Sequence, residues 1–359
     1  IHTMPTHLLP LVISLLSLIM GYDEAELIFA GDAMQHSAQL DAARRPGGDY
    51  DYSGCFDSIA PLLNMADFAV VNLETPVGDP PYTGYPCFNA PESFAKALSD
   101  AGFDLMLTAN NHTLDRRSKG LRRTISALDD SGIAHIGTYL NDSTRKETVP
   151  AIFNINGIHT AFLNYTYGTN GFTPSDGVVV NYIDKEQIRH DVQLARFNHA
   201  DIVTVCIHWG DEYRLLPNSK QKELADWLEE LGVDMVIGAH PHVIQPMELR
   251  PNRFHPDRNF LLVYSLGNFI SNMRTPDTRG GAMASVRLLR NNDGIARIVE
   301  ASYIPVFTIA SDRQGSNYRV VEAEKVNIPV WRERAADFLK RARKIFDNHN
   351  INVPRKNTY

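Results

Sequence analysis

From Glu26 onward the chain alternates short apolar runs with longer amphipathic stretches. The runs are ELIFAG, DFAVVNL, DLMLTA, DIVTVCIHW, DMVIGAH and FLLVYSL, each bounded by turn residues. Continuous apolarity is what a strand buried on both faces requires, so these runs predict the inner strands of an α/β fold. Amphipathic segments at 91–101, 117–131, 185–197 and 218–231 predict the helices between them. The last is marked by Pro217 before it, by Leu224, Leu228 and Leu231 on one face, and by Gly232 as its C-cap. Further on, AMASVRLL and ARIVEASYIPV flank the turn NNDG and predict a hairpin. An amphipathic helix over 330–346 follows, then a basic tail, 351–359. No repeat, linker or low-complexity tract interrupts this succession, so residues 26–350 read as one domain with insertions at 41–60 and 76–92.

Ahead of that domain, residues 8–20 read LLPLVISLLSLIM and stop at Gly21. The segment is too short to span a bilayer comfortably but has the length of a signal-peptide core. It predicts an exported protein, periplasmic or on the cell surface, or held at the membrane by an uncleaved leader. The competing reading is a buried N-terminal helix, because no Lys or Arg precedes the run.

Composition narrows the class further. With 43% hydrophobic and 21% charged residues the chain buries a core and is not disordered. A net charge of -7 argues against nucleic acid as a partner, since phosphate-backbone binders carry a basic surface. Cys206 reads as a buried strand residue, whereas Cys55 and Cys87, near Gly and Pro, are able to pair in an oxidising compartment. Their spacing has no zinc-finger form.

The chemistry lies at the ends of the predicted strands. Asp32 follows LIFAG, Glu74 follows AVVNL, Asn111 and His112 follow MLTAN, His208 follows VTVCI, and His240 and His242 follow MVIGA. Open α/β sheets collect their ligands at the carboxyl ends of strands, so residues scattered through the sequence are expected to converge. Singly each is weak, because a histidine after a strand is more often a surface residue and an aspartate after glycine is usually a turn former. Their recurrence at successive strand ends is what carries the expectation. Carboxylate, amide oxygen and imidazole without thiolate suit Mn, Fe or Zn rather than calcium or a structural zinc. With a carboxylate able to bridge, one or two divalent ions are expected, a pair being suited to clamp the attacking and leaving oxygens of an in-line displacement.

At this point the sequence resembles the bacterial capsule-synthesis CapA family, associated with poly-γ-glutamate capsules and built on a calcineurin-like metallophosphatase fold. The resemblance runs through Gly31-Asp32, Asn72-Leu73-Glu74, FNAPESFAKAL at 88–98, ANNHTLD at 109–115, HWGDEY at 208–213, GAHPHVIQPME at 238–248 and YSLGNFI at 264–270. It implies an α/β fold of layered sheets flanked by helices, with Asp32, Glu74, Asn111, His208, His240 and His242 around the metal centre. It also implies that His112 is the general acid or the charge that stabilises the transferring group. Asp115 either orients His112 or caps the helix beginning near Arg116, and Asn268 either lines the same pocket or belongs to a simple turn after Gly267. Calcineurin-like enzymes typically carry Asp-x-His in the first block, but here Met34 stands two residues after Asp32 and the nearest histidine is His36. The second block has Glu74 for the usual Asp, and the third has Asn110 where glycine is usual. These departures follow the CapA pattern and leave the number of ions open.

Three functions follow as expectations. The first is an exported metal-dependent hydrolase acting on a phosphoester, or an amide, of a cell-envelope polymer, with capsule-synthesis membrane proteins as partners. The second is a non-catalytic accessory protein that binds poly-γ-glutamate during synthesis or export. There the runs Arg116-Arg117-Ser118-Lys119 and Arg122-Arg123 either guide the anion or form a solvated helix face. The third is a small-molecule phosphatase in which Tyr50, Tyr52, Tyr82 and Tyr85 stack on a ring or simply pack.

Overall fold

The computed structural model describes residues 22–311 and 316–358, so the apolar segment at 8–20 lies outside the described residues. The chain first lays down half of one sheet. Strand β1 (Asp23–Ala33) is followed by the short helices α1 (Ser37–Ala43) and α2 (Ala60–Leu63), then by β2 (Phe68–Leu73), α3 (Glu92–Asp100), β3 (Leu105–Leu107), α4 (Arg117–Asp130) and β4 (Ala134–Ile136). The four strands pair in parallel.

The second sheet comes next. A short strand, β5 (Thr138–Tyr139), and helix α5 (Asp142–Thr148) lead to β6 (Ala151–Ile155) and β7 (Ile158–Thr166). Strand β8 (Val179–Val180) pairs back on β5. Helix α6 (Lys185–Phe197), β9 (Ile202–His208), α7 (Ser219–Glu230), β10 (Met235–Ala239), β11 (Met247–Pro251) and β12 (Asn259–Val263) complete the layer. Its order is β11-β12-β10-β9-β7-β6, parallel across the inner four strands. The chain then returns to the first sheet with β13 (Asn268–Ile270), β14 (Gly280–Arg290), β15 (Ala296–Ile309) and β16 (Arg319–Glu322). The first sheet thus runs β16-β15-β14-β1-β2-β3-β4, with β13 also parallel to β1, and α8 (Pro329–His349) ends the fold.

Period-two side-chain alternation sorts each strand between two apolar layers. Leu27 and Phe29 of β1 meet Phe162, Cys206 and Ile237 of the second sheet in the core between the sheets. Ile28 and Ala30 point the other way, to Phe94 and Leu98 of α3 and Leu128 of α4. In β9, Cys206 faces inward while Val203, Val205 and Ile207 pack under Val192 of α6 and Leu228 of α7. The result is four layers, helix on sheet on sheet on helix. Burial on both faces explains the unbroken apolar runs, each such side chain contributing roughly 1.5–3 kcal/mol.

Several details depart from the sequence expectations. The hairpin β6–β7 was not foreseen, although Asn156-Gly157 joins its strands as a two-residue loop with both φ values positive, at 48° and 90°. The tail is not a loose appendage: Ile351 bridges to Glu248, Arg355 bridges to Tyr303, and Lys356 reaches Glu26 and Ser285. Helix α8 is longer than the 330–346 stretch and sets Trp331, Phe338 and Phe346 into the core between the sheets. Cys55 and Cys87 are both free thiols, so no disulfide joins them. No helix among the described residues is long and apolar enough to cross a membrane.

Candidate metal centre

Both sheets deliver their parallel strand ends to one place. Asp32 is the penultimate residue of β1 and Glu74 directly follows β2, so two neighbouring strands bring two carboxylates together. His208 closes β9, and His240 directly follows β10 beside it. Asn111 and His112 sit in the turn after β3. His240 and His242 are held at φ values of 101° and 58°, left-handed conformations that cost about 1–3 kcal/mol each for residues with a side chain. Pro241 between them fixes the strained turn that presents both rings.

Glu74 belongs to two groups of donors. One is Glu74, His240 and His242, the other Asp32, Glu74 and His208, and within each the ligand atoms lie within 4.8 Å of one another. His242 Nδ1 is 3.2 Å from Asp32 Oδ2, and its Nε2 is 3.8 Å from Glu74 Oε1. His208 Nε2 lies 3.6 Å from Glu74 Oε1 and 3.0 Å from Asn111 Oδ1. All six predicted ligands therefore meet. His36 joins neither group, its Nδ1 lying against Gln39 Oε1 and the Asn272 amide at 3.2 and 3.3 Å.

The electrostatics of this cluster call for a cation. Asp32 and Glu74 are both fully buried, and neither oxygen of Glu74 has a hydrogen-bond donor. Burial, followed by the neighbouring Asp32 charge, pushes the Glu74 carboxyl well above its usual range. Burial and the adjacent imidazoles hold His208 well below the ordinary histidine value and His240 down to about 3. These two rings are thus kept neutral, with lone pairs free to coordinate, and His240 Nδ1 has no hydrogen-bond partner among the described residues. Among the described residues no Lys or Arg lies at ion-pair distance from these two buried carboxylates, an arrangement that a divalent metal stabilises. The residues fit the ion.

His112 stands beside the ligands without joining either group. Its Nδ1 is 2.8 Å from Asp115 Oδ2, and the same oxygen accepts the Phe88 N–H. Asp115 is therefore an orienting acceptor. It does not cap α4, whose N-cap position is Arg116 and carries no side-chain cap bond. The basic run beyond it is largely engaged: Arg123 pairs with Asp79 and Glu92, Arg122 donates to the carbonyls of Leu140 and Asp176, and Arg117 lies over Phe172.

The site also holds residues other than the six predicted ligands. Asn72 Nδ2 donates to Asp32 Oδ1 at 2.8 Å, and Asn268 Oδ1 lies 3.1 Å from His242 Nδ1. Asn268 was expected either in the pocket or in a simple turn; Asn72 was visible only as the first letter of N-L-E. Tyr167 lies against His240, with ring centroids 4.7 Å apart, and Tyr213 is 6.1 Å from His242. Both are about half exposed, at 49% and 56%, and form an aromatic rim at the mouth. Asn170 accepts from Asn111 Nδ2 at 3.3 Å. Of the tyrosines noted in the insertions, Tyr50 packs edge-on against Tyr82 and Tyr52 against Phe94, whereas Tyr85 remains exposed.

Comparison with known proteins agrees with this geometry. The model of the family described as "Bacterial capsule synthesis protein PGA_cap" matches residues 26–273. The capsule biosynthesis protein CapA of Bacillus anthracis is 29% identical over 337 residues, covering 87% of this chain and 76% of that protein. The PGA biosynthesis protein CapA of Bacillus subtilis is 28% identical over 278 residues, 74% of this chain and 68% of that one. Among solved structures, the NAD nucleotidase of Haemophilus influenzae superposes with a TM-score of 0.50 at 12% identity, over 92% of this chain and 65% of its own, a likeness of fold alone. The architecture is the calcineurin-like metallophosphoesterase fold, and the chain belongs to the CapA family of bacterial capsule synthesis proteins.

Proposed function

We propose that this protein is an exported divalent-metal-dependent hydrolase of the phosphoesterase type that acts on an anionic polymer of the cell envelope during capsule or poly-γ-glutamate synthesis. The observation that carries the reading is Glu74, a buried carboxylate without a hydrogen-bond donor that is shared by two groups of metal donors. Asp32, Glu74, Asn111, His208, His240 and His242 would hold one or two ions of Mn, Fe or Zn. Each group of three protein donors matches the number that catalytic sites use while keeping a position open. A divalent ion bound there supplies a Lewis acid for a phosphoryl or acyl oxygen and makes water acidic enough to attack near neutral pH.

The chain's own residues do the rest. Asp115, an acceptor already committed to the Phe88 N–H, keeps the proton of His112 on Nδ1. With His112 protonated on both nitrogens, Nε2–H is then the donor that passes its proton to the leaving oxygen, while Nδ1–H stays with Asp115 and the ring is left neutral. Tyr167 and Tyr213 narrow the mouth and limit the water that reaches the ligands. The polymer context is supported by the two Bacillus relatives, named for capsule and PGA biosynthesis.

A second reading, an accessory protein that binds the polymer without cleaving it, is favoured by Met34. This buried thioether, a soft donor, stands where a typical calcineurin-like site supplies an imidazole nitrogen. Elemental analysis of the wild type and His240→Ala, together with turnover of an aryl phosphodiester before and after chelation, separates the two. About two equivalents of metal, lost in the variant, with turnover that chelation abolishes, is the expected result. No metal after reconstitution with Mn, Fe and Zn would end the hydrolase reading.

A further inference from the structure

Away from the metal ligands a cavity of about 690 Å³ is lined by Asn272, Arg274, Arg279, Tyr318, Trp331 and Arg334, with acidic neighbours at Glu333 and Asp337. Arg274 and Arg279 come from the segment between β13 and β14, and Arg334 from the second turn of α8. The guanidinium carbons of Arg279 and Arg334 lie 5.2 and 4.8 Å from the ring centroid of Trp331. Three guanidinium groups thus face one space around a buried indole.

Among the described residues none of the three has a carboxylate within ion-pair distance, whereas Arg341, on the same helix, holds both Asp277 and Asp337, at 3.4 and 3.2 Å. Among the described residues Glu333 is therefore the one acidic side chain lining the cavity that Arg341 does not engage. Arg279 is half-buried, and its pKa is lowered first by that burial and then by the charges of Arg334 and Arg274. Packed cations that weaken one another are relieved by an anion. Stacking on an indole face leaves the guanidinium edge free, and that edge matches a carboxylate with two parallel N–H donors. More than one unpaired guanidinium suits a ligand with repeated negative groups rather than a single ion.

The cavity also communicates with the centre through one stretch of chain. Asn268, at the start of that stretch, lies 3.1 Å from His242, and its Nδ2 donates to the carbonyl of Thr278, the residue before Arg279. Asn272 lines the cavity, donates its N–H toward His36, and accepts from the Tyr318 hydroxyl at 2.7 Å. We propose that this arginine-lined cavity is a subsite for carboxylates of an acidic polymer chain whose reacting segment lies at the metal centre. The proposal rests on the polymer reading given above.

The test uses the full-length, metal-loaded protein and a fluorescent γ-linked glutamate oligomer followed by anisotropy at low and raised salt. Arg274 and Arg334 are exposed, so R274Q/R334Q is expected to fold with wild-type melting temperature and metal content. The double variant is expected to bind about ten-fold or more weakly, the scale of losing charge-assisted contacts, and with a flatter salt dependence. A second variant, Arg279→Lys, keeps the charge but not the planar fork and is expected to lose part of the affinity. Equal affinity in wild type and double variant would overturn the subsite, as would tighter binding of polyphosphate than of the glutamate oligomer at the same arginines. Ester turnover by the wild type is measured separately. Turnover without any oligomer binding removes the subsite and leaves the hydrolase, whereas arginine-dependent binding without turnover does the reverse.

Discussion

A methyl group added to Gly31 would stand 1.9 Å from the carbonyl oxygen of Gly267. The two glycines meet where β1 runs beside β13, and the Asp32 N–H donates to that same carbonyl at 3.0 Å. The close approach sets Asp32 opposite Asn268, so a ligand carboxylate and the residue against His242 share one register. Gly31→Ala is expected to destabilise the protein by about 3 kcal/mol through overpacking and to lower its metal content. Urea unfolding with metal analysis checks this; an unchanged midpoint would mean that the backbone yields without loss.

His112 and Asp115 form a pair whose role is separable from metal binding. His112→Ala is expected to keep the metal and lower turnover by about 10²–10⁴-fold, the range of a lost general acid. Asp115→Asn should fall between the variant and the wild type, because an amide can present an N–H to Nδ1 and favour the wrong tautomer. Parallel loss of metal and turnover in either variant would remove the assigned role.

Glu74→Gln should change sign with metal. Without metal the variant is expected to melt higher than the wild type, since it no longer buries a second carboxylate beside Asp32. With metal at about 100 times its Kd, the wild type should gain about 2.7 kcal/mol and the variant much less. Thermal melts with and without Mn²⁺ decide; a variant that gains as much as the wild type would exclude Glu74 as a ligand.

The pH dependence of metal-free stability isolates His240. Its folded-state pKa is depressed to about 3, below the ordinary 6.5, so the unfolded chain takes up a proton that the folded chain refuses. Stability from this residue is present above pH 6.5 and is lost as pH falls from there toward 3. Glu74, raised by burial, works in the opposite direction, so the informative quantity is the difference between wild type and His240→Gln. That difference should shrink on acidification; a constant gap between pH 7 and 4 would show that His240 is not buried as a neutral ligand.

Much of this protein was legible from residue order alone, for identifiable reasons. The inner strands and the helices at 92–100, 117–130, 185–197 and 219–230 were readable because burial on both faces or on one face leaves a periodic signature. The convergence of Asp32, Glu74, Asn111, His208, His240 and His242 was readable because strand ends in an α/β fold recur at fixed places in the apolar pattern. The β6–β7 hairpin carried its signal in Asn156-Gly157, and the docking of the tail carried none, because backbone bridges such as Ile351 to Glu248 depend on where distant strands stop. Which carboxylate lies in both donor groups, that Asp115 meets His112 Nδ1, and which arginines gather, among the described residues, without a carboxylate partner are visible only in the tertiary structure. Sequence encodes burial and periodicity locally, whereas the distance between side chains tens or hundreds of residues apart is set by the packing of whole sheets.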